Sequence, residues 1–243
     1  MKWIIIITNS SKEAIYKGDD KMQQLEFNGE EILIRERIEG ASRRGYYFLK
    51  RSMDIFCSII GLLVLSPILL AVGIAIRLES KGPIIFSQER IGRGGRRFKI
   101  YKFRSMVVNA EELKEKLNDK NEMSGPMFKI KEDPRVTKVG KFIRRTSIDE
   151  FPQLFNVFKG EMSLVGPRPS LPKEVINFED WMLERLEVKP GLTCYWQVYG
   201  RNDIDFNDWM KLDVKYVRER NTLIDIKLII KTFFVLFGDE HAR

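Results

Sequence analysis

The feature that most constrains this chain is the apolar segment at residues 53–76, MDIFCSIIGLLVLSPILLAVGIAI, whose single charged residue is Asp54. A straight helix over this segment would extend about 36 Å, longer than the roughly 30 Å hydrocarbon core of a bilayer. Ser66 and Pro67 lie near its middle, and the proline lacks an N–H and its ring collides with the carbonyl of Leu63. The sequence therefore predicts a membrane-embedded helix with a kink at this Ser-Pro pair.

Basic residues flank the segment on both sides: Arg43, Arg44, Lys50 and Arg51 before it, and Arg77 and Lys81 after it. A helix that crosses a bilayer is expected to carry its positive bias on one side only. We therefore favour a re-entrant helix that enters and leaves through the same leaflet, since each arm is too short to span alone. Two alternatives remain open, a Pro-kinked single span and a buried helix of a soluble core.

The charge balance indicates an anionic partner. Lys and Arg number 42 against 34 acidic residues, which gives a net charge of +8. Because of the apolar segment, acidic lipid head groups and phosphorylated substrates are favoured over nucleic acid. The chain has two cysteines and one histidine, which excludes a disulfide framework and a cysteine-type zinc site. Acid–base or nucleophilic chemistry must then depend on carboxylates, lysine, tyrosine or a metal.

Three parts are predicted along the chain: an N-terminal extension of unassigned role at 1–42, the membrane helix with its basic flanks at 43–81, and a cytoplasmic or interfacial domain at 82–243. The first residues, MKWIIIITNSS, hold an apolar run too short for a secretory signal. We therefore expect the domain to lie on the cytoplasmic face of the membrane.

The remaining patterns predict an α+β fold with amphipathic helices at the membrane interface. Alternation at 31–35 predicts a strand, and residues 84–86 and 98–103 predict a hairpin around Gly92–Gly95, where a turn is favoured over a phosphate-binding loop. Helices are also predicted at 109–122 and 223–237. A further helix is predicted where a basic stripe lies opposite an apolar face, and the stripe consists of Arg135, Lys138, Lys141 and Arg144.

The segment RRTSIDEFPQLF places two adjacent carboxylates, Asp149 and Glu150, directly after this basic stripe. Ser147 and Glu150 have capping-box spacing, whereas Pro152 favours the first helical position, so two frames for the helix start are open and the first turn is ambiguous or distorted. In both frames the carboxylates lie at a helix N-terminus, which stabilises their ionised forms. They would suit binding of a divalent metal or attack on an electrophile, although acids at a helix start are also common for structural reasons.

Two further residues stand out. Pro167 and Pro169 flank Arg168 and favour an extended loop that presents one guanidinium rigidly, as bidentate capture of a phosphate requires. A plain proline-rich turn is the alternative. Asp213 interrupts the apolar stripe of a predicted helix between Phe206 and Val217. A buried acid must be paired or bind a metal, so a structural ion pair and a site role are both open.

Together these segments resemble the bacterial sugar transferase family, the monotopic phosphoglycosyl transferases that start lipid-linked glycan assembly. The resemblance runs from about Phe48 to Phe237, and it rests on the signatures LLVLSPILL, FKIYKFRSM, RRTSIDEFPQLFNVFKGEMSLVGPRP, KPGLTCYWQVYGRN and LDVKYV. It implies a re-entrant helix in the bacterial cytoplasmic membrane. It also implies transfer of a sugar 1-phosphate from a UDP-sugar to a polyprenol phosphate, with magnesium, through an aspartyl-phosphosugar intermediate.

The resemblance also assigns roles to residues of this chain. Asp149 is the expected nucleophile and Glu150 its partner. Phosphate groups are expected to contact four cations, Lys102, Arg144, Arg168 and Arg201. The expected magnesium ligands are Asp149, Glu150 and Asp213. The expected partners are the UDP-sugar, the polyprenol phosphate and anionic lipids, and whether the chain forms a homodimer is left open.

The chain departs from one common family pattern, because Cys194-Tyr195-Trp196-Gln197 stands where many members have Gly-Trp-Ala-Gln. With GPMFKIKEDPRVTKVG upstream, it looks more like members that transfer glucose-phosphate or galactose-phosphate, so a hexose donor is expected over an N-acetylated one. The alternatives are a membrane-tethered binding module and a non-catalytic scaffold of a glycan-assembly complex. Nucleic acid is disfavoured because Asp149 and Glu150 would repel its phosphates.

Overall fold

The computed structural model describes residues 22–27, 30–35, 44–115, 130, 133–199 and 204–238, and these form a mixed α+β structure, as predicted. The strands are β1 (Met22–Phe27), β2 (Glu30–Arg35), β3 (Ile85–Ile91), β4 (Arg97–Phe103), β5 (Ser163–Val165) and β6 (Gly191–Thr193). The helices are α1 (Arg44–Glu79), α2 (Ala110–Glu115), α3 (Lys138–Arg145), α4 (Gln153–Lys159), α5 (Pro172–Val175), α6 (Tyr195–Tyr199), α7 (Phe206–Glu219) and α8 (Thr222–Gly238).

The strands pair locally. β1 pairs antiparallel with β2, which confirms the predicted strand at 31–35. The predicted hairpin is also confirmed, since β3 and β4 are antiparallel and a short 3-10 turn at Arg93–Gly95 joins them. β5 and β6 form a short parallel pair. The predicted helix at 109–122 is confirmed over α2, and residues 116–122 lie outside the described ranges.

Helix α1 is long and apolar enough to cross a membrane by length and composition. It runs through Pro67 without interruption, and the Ser66 hydroxyl donates to the carbonyl oxygen of Leu63 over 2.7 Å. The re-entrant geometry therefore stays a prediction. Its buried residues lie near the two ends, with none between residues 59 and 71. Large exposed side chains occupy this central stretch: Ile59, Ile60, Leu63, Val64, Ile68 and Leu70.

The first half of α1 is fixed to the domain by polar contacts. The Arg51 guanidinium donates to the carbonyl oxygens of Val157 and Phe158, each over 2.7 Å, where α4 ends. The buried Asp54 carboxylate accepts from the Ser163 hydroxyl at 3.0 Å and from the N–H of Leu164 at 2.9 Å. These bonds set the height of α1 relative to β5.

The second half of α1 contacts the same domain. The Glu79 carboxylate accepts from the backbone N–H groups of Lys138 and Val139, at 2.7 and 3.1 Å, at the start of α3. Val72 and Ile76 pack in one apolar cluster with Phe103 and Ile143. Both ends of the apolar helix thus contact one folded unit.

The basic stripe on α3 is narrower than predicted. Lys138, Lys141 and Arg144 are exposed, as expected for a basic face. Arg135 is not part of it, because this residue lies before the helix and is buried. Its guanidinium instead donates to the Asp133 carboxylate, with the closest N–O distance 2.6 Å. The prediction for Arg135 was wrong. Its three-residue spacing from Lys138 matches the stripe, but its side chain is buried and pairs with Asp133.

A buried carboxylate connects the C-terminal helix α8 to the rest of the domain, and one face of this helix is exposed and apolar. The Asp225 carboxylate is buried and accepts from the Tyr216 hydroxyl at 2.7 Å and from the Lys50 ammonium at 2.9 Å. The exposed face consists of Leu223, Ile226, Ile230, Phe233 and Phe234. Such a face suits the predicted position in or on the membrane interface.

Candidate active site

Asp149 and Glu150 lie on a single 3-10 turn, Ile148–Glu150, between α3 and α4. The preceding Ser147 adopts left-handed backbone angles, with φ 56° and ψ 14°, and is the one non-glycine residue with positive φ in the described ranges. Such a conformation costs roughly 1–3 kcal/mol and is concentrated at functional sites. Neither predicted helix frame is seen, because the Ser147 side chain caps nothing and α4 begins at Gln153 after Pro152.

Glu150 is held by two cations. The Lys102 ammonium on β4 donates to its carboxylate over 2.5 Å, and the Arg168 guanidinium lies 3.7 Å from the same oxygen. Burial alone would raise the pKa of Glu150, but Lys102 and Arg168 outweigh it and lower that pKa well below its usual value. Glu150 is therefore ionised and holds both cations next to Asp149.

Asp149 is the more deeply buried of the two carboxylates, with 8% of its surface exposed. Burial raises the pKa of Asp149 to about 6, and the charge on Glu150 adds to this, while Lys102 and Arg144 oppose it. Its carboxylate is thus poorly solvated in the ionised form. A poorly solvated anion is a stronger nucleophile than a hydrated one, and such perturbed groups in clefts are candidate functional residues.

Two cavities meet at this turn. We call the first, of about 370 Å³, the hairpin cavity because β3 and β4 form one wall. We call the second, of about 550 Å³, the helix cavity because α1 and α8 contribute to it. The two share four lining residues: Lys102, Arg144, Asp149 and Arg168. The structure therefore brings four of the predicted site residues together, and Glu150 lines the helix cavity beside them.

The hairpin cavity is strongly cationic. Seven Arg or Lys residues line it against three acidic residues. Among them is Arg90, which the sequence analysis did not single out; its guanidinium donates to the carbonyl oxygen of Pro169 over 3.1 Å. Burial and the nearby charge of Arg168 lower the pKa of Arg90 to about 10. Alternation along β3 places Arg90 on the same face as Phe86, which pairs with Lys102.

The helix cavity is largely apolar away from the turn. Its lining includes Leu65 of α1, next to the Ser-Pro pair, and Ile229 and Phe233 of α8. Phe233 also belongs to the exposed apolar face of α8. The helix cavity thus extends from Asp149 to the surfaces that carry the exposed apolar side chains.

Hydrogen bonds from two other parts of the chain hold the backbone of the Arg168 loop. The Arg185 guanidinium donates to the carbonyl oxygen of Arg168 over 2.8 Å, and the carbonyl of Pro167 accepts from the N–H of Gly191 over 2.9 Å. Arg185 in turn pairs with the Asp213 carboxylate over 2.7 Å, and both side chains are almost fully buried. The Arg185–Asp213 ion pair therefore supports the loop through the bond from Arg185 to the carbonyl oxygen of Arg168.

Asp213 is not placed with the other candidate magnesium ligands. It lines neither cavity, and its carboxylate pairs with Arg185. The structural ion pair, one of the two interpretations left open, is the one observed, and we do not retain Asp213 as a metal ligand. Arg201 lies outside the described residues. The described residues contain no group of three or more His, Cys, Asp or Glu side chains placed to hold a metal.

Comparison with known proteins agrees with the family resemblance seen in the sequence. A family model described as bacterial sugar transferase matches residues 45–239. The chain is 50% identical over 195 residues to galactosyl transferase CpsE of Streptococcus agalactiae serotype III, covering 80% of this chain and 43% of the relative. It is 42% identical over 220 residues to an undecaprenyl-phosphate galactose phosphotransferase of Salmonella typhimurium, covering 89% and 46%.

A third relative carries a different sugar in its name. The chain is 40% identical over 204 residues to a UDP-N-acetylgalactosamine-undecaprenyl-phosphate N-acetylgalactosaminephosphotransferase of Aeromonas hydrophila, covering 82% of this chain and 46% of the relative. The chain spans about half the length of these three curated relatives.

Proposed function

The chain belongs to the bacterial sugar transferase family, and we propose that it transfers a sugar 1-phosphate from a UDP-sugar to a membrane polyprenol phosphate, with release of UMP. The observation that carries this proposal is the position of Asp149 among Lys102, Arg144 and Arg168, where a cationic cavity meets an apolar one. Such a junction suits a soluble anionic donor and a lipid acceptor that react at the same carboxylate.

In the first step, a carboxylate oxygen of Asp149 attacks the sugar-bearing phosphorus of the donor. The bond between this phosphorus and the bridging oxygen breaks, and UMP leaves with the bond electrons. The diphosphate would repel the carboxylate unless its charge were neutralised, so Lys102, Arg144 and Arg168 must contact the phosphate oxygens. Glu150 positions two of these cations through its contacts with Lys102 and Arg168.

In the second step, an oxygen of the polyprenol phosphate attacks the same phosphorus, and the bond to Asp149 breaks. The attacking phosphate is already an anion, so the step needs no general base, in agreement with a chain whose one histidine is His241. Each step displaces a group in line, so UMP leaves from the side at which the lipid phosphate later enters. The same cations therefore serve both steps.

The two cavities suit the two substrates. The hairpin cavity, with its excess of cations, fits the nucleotide diphosphate. The helix cavity fits the acceptor, because Leu65, Ile229 and Phe233 lead from Asp149 towards the exposed apolar faces of α1 and α8. The acceptor phosphate would then reach the position that UMP has left, among the cations Lys102, Arg144 and Arg168 that line both cavities, while its isoprenoid chain stays among apolar side chains.

Magnesium fits this site as an ion shared with the donor. Mg²⁺ is commonly held by one or two carboxylates together with substrate phosphates, and Asp149 and Glu150 offer two. Glu150 is already engaged by Lys102, so Asp149 is the better placed of the two. When bound, magnesium would reduce the negative charge of the diphosphate.

We further propose that α1 is re-entrant and that the site faces the cytoplasm. Both ends of α1 contact the same domain, through Arg51 and Asp54 at one end and Glu79 at the other, and both flanks are basic. Apolar side chains that suit the lipid lie on the middle of α1, on α4 through Phe155 and Phe158, and on α8. The exposed lysines of α3 would then contact anionic head groups.

The test is UMP release by the purified protein in lipid nanodiscs with magnesium, undecaprenyl phosphate and a panel of UDP-sugars. We expect sustained release that requires the polyprenol phosphate, and loss of roughly 10³-fold or more in Asp149→Asn, because an amide cannot form the acyl phosphate. Asn221→Asp is a control of similar chemistry at an exposed position. If the folded protein releases no UMP from any donor but binds a partner enzyme, the scaffold alternative would be favoured.

A further inference from the structure

Four consecutive backbone carbonyls of the Arg168 loop each accept a hydrogen bond from another part of the chain. They belong to Pro167, Arg168, Pro169 and Ser170. The outer two accept from the N–H groups of Gly191 and Ile91, each over 2.9 Å. The inner two accept from guanidinium groups, that of Arg185 over 2.8 Å and that of Arg90 over 3.1 Å. The loop backbone is therefore fixed at four successive peptide groups.

The Arg168 side chain is held less closely than its backbone. Its guanidinium lies 3.7 Å from the Glu150 carboxylate, which is beyond hydrogen-bond distance, and it lines both cavities. Bidentate binding of a phosphate requires that the planar fork of a guanidinium face two oxygens. Within the described residues no hydrogen bond orients this fork, so its position depends on the backbone that carries it.

Arg185 holds the loop at two points. Its guanidinium donates to the carbonyl oxygen of Arg168 and to the hydroxyl of Ser170. Asp213 pairs with this guanidinium over 2.7 Å, and the Arg185 and Asp213 side chains are 2% and 0% exposed. Buried ion pairs often stabilise a fold no more than apolar side chains of similar size, so stability alone explains this pair poorly. The contacts with the loop indicate a role at the site instead.

We propose that Arg185 is a positioning residue of the transfer reaction and that Asp213 acts through it, an inference that rests on the proposed function. Asp213 offsets the charge of Arg185 and fixes its guanidinium. Arg185 in turn fixes the backbone of Arg168, so that the Arg168 fork meets the donor phosphate in one orientation. A small displacement of a substrate-binding group can lower a rate by about 10²-fold. Neither Arg185 nor Asp213 lines the hairpin cavity or the helix cavity, so both act without touching a substrate.

The experiment is a double-mutant cycle with Arg168→Lys, which keeps the charge of Arg168 but has no fork to orient. Asp213→Asn removes the charge opposite Arg185. Ser170→Ala removes the hydroxyl that Arg185 binds, and Ser170 lines neither cavity. For both variants kcat/KM for UMP release is determined alone and in combination with Arg168→Lys.

Asp225→Asn is the matched control. The Asp225 carboxylate is also fully buried and also pairs with a cation, Lys50, over 2.9 Å. In the part of the chain that the structure describes, its carboxylate bonds Tyr46, Lys50 and Tyr216, none of which belongs to the Arg168 loop. The control therefore removes the same group from a similar environment without loosening the loop.

With Arg168 present, Asp213→Asn should lower kcat/KM by roughly tenfold and Ser170→Ala by roughly fivefold. In the Arg168→Lys background each should cost less than about twofold, because no fork remains to be misplaced. Asp225→Asn should have the same effect in both backgrounds. Equal losses in both backgrounds for Asp213→Asn or Ser170→Ala would overturn the proposal, since effects on the fold alone are additive. If Asp213→Asn does not fold, Ser170→Ala decides.

Hydrogen exchange of the loop separates a failure of this proposal from a failure of the proposed function. Mass spectrometry follows the peptide at 166–171 in the same proteins without substrate. Asp213→Asn and Ser170→Ala should speed its exchange by about fivefold or more, and Asp225→Asn should not. Unchanged exchange in both loop variants would overturn the positioning role even if the rates fall. If the wild type releases no UMP but the loop shows the expected exchange, the proposed function is wrong and the hold of Arg185 on the loop is confirmed.

Discussion

The close approach of α3 to the loop after β4 gives a sharp prediction about Gly140. A Cβ atom added at Gly140 would lie 2.0 Å from the backbone oxygen of Ser105 and 2.8 Å from its carbonyl carbon. Side-chain rotation cannot relieve a clash with backbone. The Gly140→Ala variant must therefore move α3 away from Ser105, which breaks the bond from the Thr137 N–H to the Ser105 carbonyl oxygen at 3.1 Å.

The expected cost follows from these contacts. Overpacking of this kind costs about 1–3 kcal/mol, and loss of one buried hydrogen bond adds about 1 kcal/mol. For a protein of this size 1 kcal/mol corresponds to roughly 2–4 °C, so the thermal midpoint should fall by about 5–15 °C. Arg144 lies one turn after Gly140 and Ser105 lines the hairpin cavity, so kcat/KM for UMP release should fall as well.

Gly45→Ala is the matched control. It is the same substitution within a helix, and a Cβ atom there meets nothing within 4 Å. Replacing glycine by alanine at an unstrained helical position stabilises a protein by about 0.4–1 kcal/mol. Thermal unfolding of both variants in the same detergent, followed by circular dichroism, is the measurement. Equal midpoints for the two variants, or an active Gly140→Ala protein of wild-type stability, would refute the packing of α3 on Ser105.

Three further predictions concern the site and the membrane helix. Arg168→Lys should lower kcat/KM for UMP release by roughly 10²-fold, because lysine keeps the charge but loses the planar fork; a wild-type rate would make the loop purely structural. Since burial raises the pKa of Asp149 to about 6 and only the carboxylate attacks, kcat/KM should be flat above pH 7 and fall about tenfold per pH unit below 6. A rate that rises as the pH falls from 6 to 5 would contradict this role. Replacing Ser66 and Pro67 by leucine should let α1 span, so that a cysteine introduced at Ser42 in a cysteine-free protein reacts with an impermeant thiol reagent outside intact cells. Without the leucine pair the same cysteine should react only after the cells are opened, and labelling before opening would mean that α1 already spans.

The sequence predicted the local elements of the site better than its long-range contacts. Alternation along the chain was enough to place Lys102 on a hairpin strand, and the flanking prolines were enough to place Arg168 in a loop. Pattern alone could not reveal that Arg185 pairs with Asp213, which lies 28 residues away in the sequence. Partners far apart in sequence are fixed by tertiary packing, which leaves no local pattern.

The turn itself shows a second reason. Two capping rules competed at Ser147 and Pro152, and the structure follows neither, because Ser147 adopts a left-handed conformation. Local propensities describe relaxed helix starts, whereas this turn is constrained by α3 on one side and α4 on the other. Sequence rules that fail in this way are expected at strained functional sites. Trp196 was noticed only as part of a departure from a family pattern, since the unpaired polar atoms of Trp196 and Gln197 are visible only in the folded chain.

The proposed mechanism requires a covalent intermediate on Asp149, which mass spectrometry of the protein incubated with donor alone can detect. The protein is mixed with magnesium and its best UDP-sugar without polyprenol phosphate, quenched, digested and analysed beside a UMP measurement. We predict a burst of UMP approaching one equivalent per active protein and a sugar-phosphate adduct on the side chain of Asp149. Addition of polyprenol phosphate should remove the adduct and convert the burst into continuous UMP release. UMP release that requires the acceptor from the first turnover, or an adduct on any other residue, would contradict the mechanism.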